Sequence, residues 1–126
     1  MKSILTAFII FIIMLTTMFF STRYLSKVCS NLKNLNTQIE RDIDKDDWNS
    51  AYNHSLKFLN QWDKYSKRIS IFVNHTEIDN INNELWKITQ YTKVKNKDES
   101  LASNHVIKFY LDHIEDLEKV NLQNIF

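Results

Sequence analysis

Not one of the 126 residues is glycine or proline. Tight turns with positive φ and rigid chain reversals ordinarily use those two residues. A β-sandwich or barrel needs many such turns, and dinucleotide and P-loop sites need glycine where the backbone meets phosphate. Those architectures are excluded in their usual forms. Helices joined by short polar breaks need neither residue, so the chain is expected to be all-α.

The first segment points to a membrane. Residues Ser3 to Thr22 carry no charge and consist mostly of Ile, Phe, Leu and Met. Twenty residues at 1.5 Å per residue span roughly 30 Å, the thickness of a bilayer's hydrocarbon core. A soluble helix is rarely apolar on every face. A cleaved signal peptide is the rival reading, and Lys2 with the apolar run fits it. The exit, Met18-Phe19-Phe20-Ser21-Thr22-Arg23, lacks the small residues of a cleavage site. A lipoprotein signal is excluded by Lys27 and Val28 ahead of Cys29. Residues 1–22 are therefore expected to be a transmembrane anchor held in membrane lipid. Arg23, Lys27 and Lys33 follow the span, and a literal charge count would keep the remainder in the cytoplasm. The export-like start and minimal leading tail favour the other orientation, a C-terminal domain outside the cytoplasm at the cell membrane.

Beyond the anchor, Leu25, Val28, Leu32, Leu35 and Ile39 repeat at helical spacing, followed by Ile43. The spacing predicts that the anchor continues without interruption into a stalk helix over 23–44. A polar break at Asp44–Asp47 follows, with Asp46 or Asp47 as the next cap. A second helix is expected from Trp48 to Val73, roughly 39 Å long. Its stripe is Trp48, Ala51, Tyr52, Leu56, Leu59, Trp62, Tyr65, Ile69, Phe72 and Val73. Asn74 to Glu77 reads as a capping box, opening a third helix that ends near Val94 and carries Ile78, Ile81, Leu85 and Ile88. Asp98 is the expected cap of a fourth helix over 99–118, with Leu101, Ala102, Val106, Phe109, Tyr110, His113, Ile114 and Leu117 on its apolar face. The tail from Val120 to Phe126 is expected to fold back on the domain. Short breaks imply antiparallel neighbours. The expectation is an antiparallel three- or four-helix bundle over 45–126, the number depending on whether the stalk packs against it.

Charge excludes one class of function. With Lys2 set aside, fifteen basic residues face fifteen acidic ones, and no block of like charge forms. A nucleic-acid binder carries a basic patch, so no nucleic-acid partner is expected. A single cysteine rules out an internal disulfide framework.

The apolar start, Asp47-Trp48 with Ala51, Trp62, the stretch His75-Thr76-Glu77-Ile78-Asp79 and the terminal Asn124-Ile125-Phe126 together resemble an uncharacterised family of short, single-pass membrane-anchored proteins from Gram-positive spore formers, known only as a domain of unknown function. The resemblance implies a helical, membrane-anchored, extracytoplasmic domain and supplies no activity or catalytic residue.

Among candidate sites, His75, Glu77 and Asp79 form the sharpest cluster. His75 and Asp79 lie four apart and share a helix face. The pair could ligate a metal or set a base beside its orienting carboxylate, with His54, His105 or His113 joining across the domain. The simpler reading is preferred: Asn74 and Glu77 cap a helix, and His75 and Asp79 stay local and polar. His113 falls on the expected apolar stripe, where a hydrogen-bonded rim residue is the simpler reading. No histidine has glutamate three positions before it, so a di-iron site is rejected, and HExxH and GxSxG are both missing. No catalytic residue, metal or cofactor is expected. Trp48, Tyr52, Trp62, Tyr65 and Trp86 are read as core, not as a ligand cage. Cys29 could cross-link two stalks or be acylated, and is read as an unmodified thiol.

These readings converge on a membrane-anchored structural or interaction protein rather than an enzyme. Its expected partners are lipid and a membrane-associated protein or a second copy of itself, joined through a coiled-coil seam along the stalk. The alternative is a small ligand- or metal-binding domain centred on His75, Glu77 and Asp79, with His113 as a further contact.

Overall fold

In the computed structural model, the chain is all-α: α1 spans Lys2–Asp44, α2 Trp48–Ile69, α3 His75–Lys93 and α4 Lys97–Ile125, with no strand among the described residues. Residues 1–71 and 73–125 are described; residues 72 and 126, and the side chains of 120–122 and 124–125, lie outside that description. The expected stripe position Phe72 and the terminal Phe126 therefore fall outside the described residues, while the expected fold-back of the tail is corrected: α4 does not end at 118 but continues as helix through Ile125.

The apolar run and the segment expected to be a stalk are one unbroken helix, as the lack of any breaker between Phe20 and Leu25 predicts. The stalk stripe does not face solvent. Leu25, Val28, Leu32, Leu35, Ile39 and Ile43 are buried in one core with Phe58 and Trp62 of α2, Ile81, Leu85 and Ile88 of α3, and Ile107, Leu111 and Ile114 of α4. α1 packs against α2 and α4, and α3 packs against the same two. Polar contacts give the sense of each pair. Along α1, Asp42 meets His54 while Tyr24 meets Arg68, so α2 runs opposite to it. Likewise Glu40 meets His105 and Ser26 meets Glu115, so α4 also opposes α1.

Two of the three connections place a residue where glycine is usual. Asp46 has φ 56° and Lys95 has φ 61°. Asp47 N–H donates to Asp42 O at 2.9 Å and Asp46 N–H to Ile43 O at 3.0 Å, and Asn96 and Lys95 repeat the pattern onto Tyr91 and Thr92. Each is a Schellman termination, which satisfies the last carbonyls of the helix at the expense of one left-handed residue. Short breaks without glycine thus carry local strain. Aspartate tolerates this conformation, whereas a lysine Cβ crowds the following carbonyl. Lys95→Gly is expected to stabilise the fold by about 1 kcal/mol, read as a rise in urea midpoint with unchanged slope. A fall in midpoint would contradict the strain.

Several sequence-based boundaries and faces need correction. α2 ends at Ile69, not Val73, because Asn74 must be extended to cap α3. Asp47 caps α2 as expected, its carboxylate accepting from Ser50 N–H at 3.3 Å. Asn96, not Asp98, caps α4, accepting from Glu99 N–H at 3.2 Å. Asp98 falls in the first turn, where its charge favours the helix dipole. The largest correction is the face of α4. Ser100, Ser103, Asn104, Ile107, Leu111 and Ile114 are buried, while Ala102, Val106, Phe109 and Leu117 are exposed. The buried polar groups are tolerated because most have partners. Asn36 Nδ2 donates to Asn104 O at 3.0 Å, and Asn104 Nδ2 returns to Asn36 O at 2.9 Å. Ser103 Oγ donates to Glu84 Oε2 at 2.8 Å. On α2, Phe58 is buried and Leu56 is exposed. Trp62 lies in the core, with Trp48 and Tyr65 partly buried against it; Trp86 is 59% exposed and is not core.

Candidate functional site

The longest apolar surface belongs to the first half of α1. The helix is long and apolar enough to cross a membrane, with mean hydropathy 2.4 over its most apolar window, none of which is buried. Ile, Leu and Phe side chains left in water forgo about 1.5–3 kcal/mol each. Thr6, Thr16, Thr17 and Thr22 each donate a hydroxyl to the carbonyl four residues earlier, so these four polar groups are satisfied within the helix. That local pairing is what a helix in an apolar medium requires. At the exit, the Arg23 guanidinium sits 5.5 Å from the Phe19 ring centroid. A groove there is lined by Phe20, Arg23, Tyr24, Ser26, Lys27 and Ser30.

Below the exit, α1 and α4 are joined by a charged cluster. Lys33 Nζ lies 2.7 Å from Asp112 Oδ1 and 2.6 Å from Glu115 Oε2. Ser26 Oγ donates to the other Glu115 oxygen at 3.0 Å. The hydrogen bond from Lys33 holds the Glu115 carboxyl below its ordinary value, with Ser26 assisting against partial burial. Burial alone would depress the Lys33 ammonium, but its bonds to Asp112 and Glu115 outweigh that and raise it. Cys29 is buried beside this cluster. Burial, reinforced by the Glu115 charge, pushes its thiol up to about 12. A thiol so protonated and covered is a poor nucleophile.

The linkage has a definite sign. Glu115 is more acidic folded than unfolded, so the unfolded chain takes up the proton first as pH falls. Its contribution is complete above the ordinary glutamate value of about 4.3 and is lost as pH drops through the lower folded value. Wild type should lose stability below about pH 5, and Glu115→Gln should flatten that decline. Urea midpoints across this range provide the check; parallel profiles would show that the cluster carries no linkage.

The residues singled out in sequence are partly brought together. His113 Nε2 approaches Glu77 Oε1 at 3.4 Å across α3 and α4, and Phe109 stacks on the His113 ring at 6.0 Å with an interplanar angle of 6°. Asn74 caps α3 as expected, accepting from Thr76 N–H at 2.9 Å. The Glu77 side chain turns to His113. His75 stays exposed at the start of α3. Asp79 faces a different surface, an open α2–α3 groove shared with Leu56, Asn60, Asp63, Asn82 and Trp86. Among the described residues no three of His, Cys, Asp and Glu converge as metal ligands would. His54 and His105, which have no partner visible in sequence, pair with Asp42 and Glu40 of α1.

Sequence reasoning missed the exposed apolar face of α4. Phe109 is 63% exposed, in line with Val106 and Leu117 one and two turns away. Their spacing was visible, but the same spacing had been assigned to the core.

A family model described as a domain of unknown function (DUF4363) matches residues 19–125, so most of the apolar run precedes the matched segment. No curated protein and no solved structure matches the chain significantly.

Proposed function

The chain belongs to the DUF4363 family, and from that premise we propose that it is a single-pass membrane protein whose antiparallel four-helix bundle serves as a structural or interaction module at the cell surface. One observation carries the reading: α1 is continuous from an unburied apolar half into a half that is a full member of the core. A bundle whose own helix extends into lipid is held rigidly at the membrane, because no flexible linker separates the two. In this reading residues 1–22 form the anchor, 23–44 the stalk that docks in the bundle, and 45–126 the remainder, outside the cytoplasm. No catalytic step or cofactor is assigned. A membrane-associated protein partner would meet the exposed α4 face around Phe109, since an apolar face on the surface marks an interaction site.

Fractionation and protease shaving of intact cells test both parts. The protein should remain with membranes through alkaline carbonate washing, leave them only in detergent, and lose residues after the anchor to external protease. Release by carbonate, or a mature N-terminus after Phe20, would sink the anchor. Survival of the domain until lysis would reverse the orientation. A photo-reactive residue at Phe109 should give a discrete adduct in native membranes that one at Lys57 does not.

A further inference from the structure

We propose that the turn between α2 and α3, carrying exposed Ile71 and preceded by Arg68, is a second membrane contact that takes anionic lipid headgroups together with Arg23 and Lys27 at the end of the apolar run. The inference rests on the anchor reading above and adds a surface to it.

Arg68 Nη1 donates to the Tyr24 hydroxyl at 3.5 Å, which ties the C-terminal end of α2 to the first turn after the apolar run. α2 runs opposite to α1, so residues beyond Arg68 climb back toward the apolar half of α1. Ile71 stands three residues further on, just past the end of α2 at Ile69, on the side of Arg68 toward the apolar run. The chain is still tightly coiled there: Ser70 N–H bonds Ser66 O at 2.9 Å and Val73 N–H bonds Ile69 O at 2.9 Å. Val73 turns into the core, yet Ile71 is 87% exposed. An isolated exposed isoleucine needs no explanation in water. Here Arg68 ties the end of α2 to the turn of α1 that follows the apolar run, which the anchor reading puts at the bilayer surface.

Charge at this end agrees. Arg23, Lys27 and Arg68 enter no ion pair among the described residues. Lys67 is held by Asp63 at 3.2 Å. Acidic Asp116 and Glu118 are on α4, which meets this part of α1 through Ser26 and Glu115, and Glu115 is already engaged by Lys33 and Lys119. Arg23 and Lys27 line the outer groove of α1 at the end of the apolar run, and Arg68 bonds Tyr24 beside it, where an anionic surface attracts them. Tyr24 suits the same interface.

The test uses the full chain reconstituted in vesicles of phosphatidylcholine with phosphatidylglycerol. Ile71→Cys and, as the distal control, Asp98→Cys are labelled with an environment-sensitive fluorophore; Cys29 is buried and stays unlabelled. Brominated lipids should quench the Ile71→Cys label several-fold more than the control. Arg23→Gln with Arg68→Gln, or vesicles without the anionic lipid, should weaken that quenching. Equal quenching at both positions, in protein that floats with the vesicles, overturns the second contact and leaves the anchor intact. A blue-shifted but unquenched label assigns the turn to a protein contact and overturns the lipid assignment. Protein that does not float overturns both readings.

Discussion

A chain starting at residue 45 will not fold cooperatively, whereas a chain starting at residue 23 will. α1 places Leu25, Val28, Leu32, Leu35, Ile39 and Ile43 in the core. At about 1.5–3 kcal/mol for each buried aliphatic side chain, their loss matches or exceeds the roughly 5–15 kcal/mol that holds a domain together. The loss is compounded because the facing surfaces of α2 and α4 are then opened to water, and Asn104 loses its side-chain partner Asn36. Residues 1–22 contribute nothing comparable, since none of the apolar window within them is buried. Circular dichroism with urea titration separates the cases. The 23–126 chain should show a single sharp transition and the 45–126 chain a shallow one. A sharp transition for 45–126 would mean that α2, α3 and α4 form a domain by themselves and that the stalk is only a tether.

Trp62→Ala should cost about 3–5 kcal/mol, a fall in Tm on the order of 15–30 °C for a domain of this size. The ring is 1% exposed and is the largest side chain wholly inside the core. Truncation leaves a cavity among well-packed neighbours that collapse only in part. The indole adds a second consideration. Its Nε1 has no hydrogen-bond partner among the described residues. An unpaired buried donor costs about 1–3 kcal/mol. Trp62→Phe removes that donor while keeping most of the volume, so it should cost much less than Trp62→Ala. Comparable losses in the two variants would show that the indole N–H is satisfied in solution by a buried water. An unchanged melting curve for Trp62→Ala would remove the ring from the core altogether.

The family resemblance read from the sequence is met at the level of a domain of unknown function. Its motifs are now explained locally. Asp47 and Asn74 are caps, Ala51 and Trp62 are core, and Glu77 reaches across to His113. Each of these named positions has a folding role.

The candidate site was legible only in fragments. His75 and Asp79 share a helix face by spacing, and spacing is all that a local pattern reports. Which helix lies opposite decides the rest, and α4 lies opposite Glu77 rather than His75. The face of α4 was misread for a related reason. Hydrophobic periodicity ranks Phe109 above Ser103 as a core residue. Ser103 and Asn104 are buried nonetheless, because Glu84 and Asn36 answer their hydrogen bonds from other helices. A polar group with a partner is cheap to bury, and no sequence window can see the partner.

The sequence by itself determined that the chain is helical, that residues 3–22 are an uncharged run of bilayer length, and where α2 and α3 begin. Those properties depend on residues within a few positions of one another: the lack of glycine and proline, the apolar spacing, Asp47 and Asn74 as caps. The tertiary structure alone decided that the stalk docks on its own chain and which face of α4 turns inward. Apolar burial is not directional, so the stripe from Leu25 to Ile43 fits another copy or this chain's own helices equally well. The choice falls to groups far apart in sequence that must meet with correct geometry, Asn36 with Asn104 and Lys33 with Asp112 and Glu115.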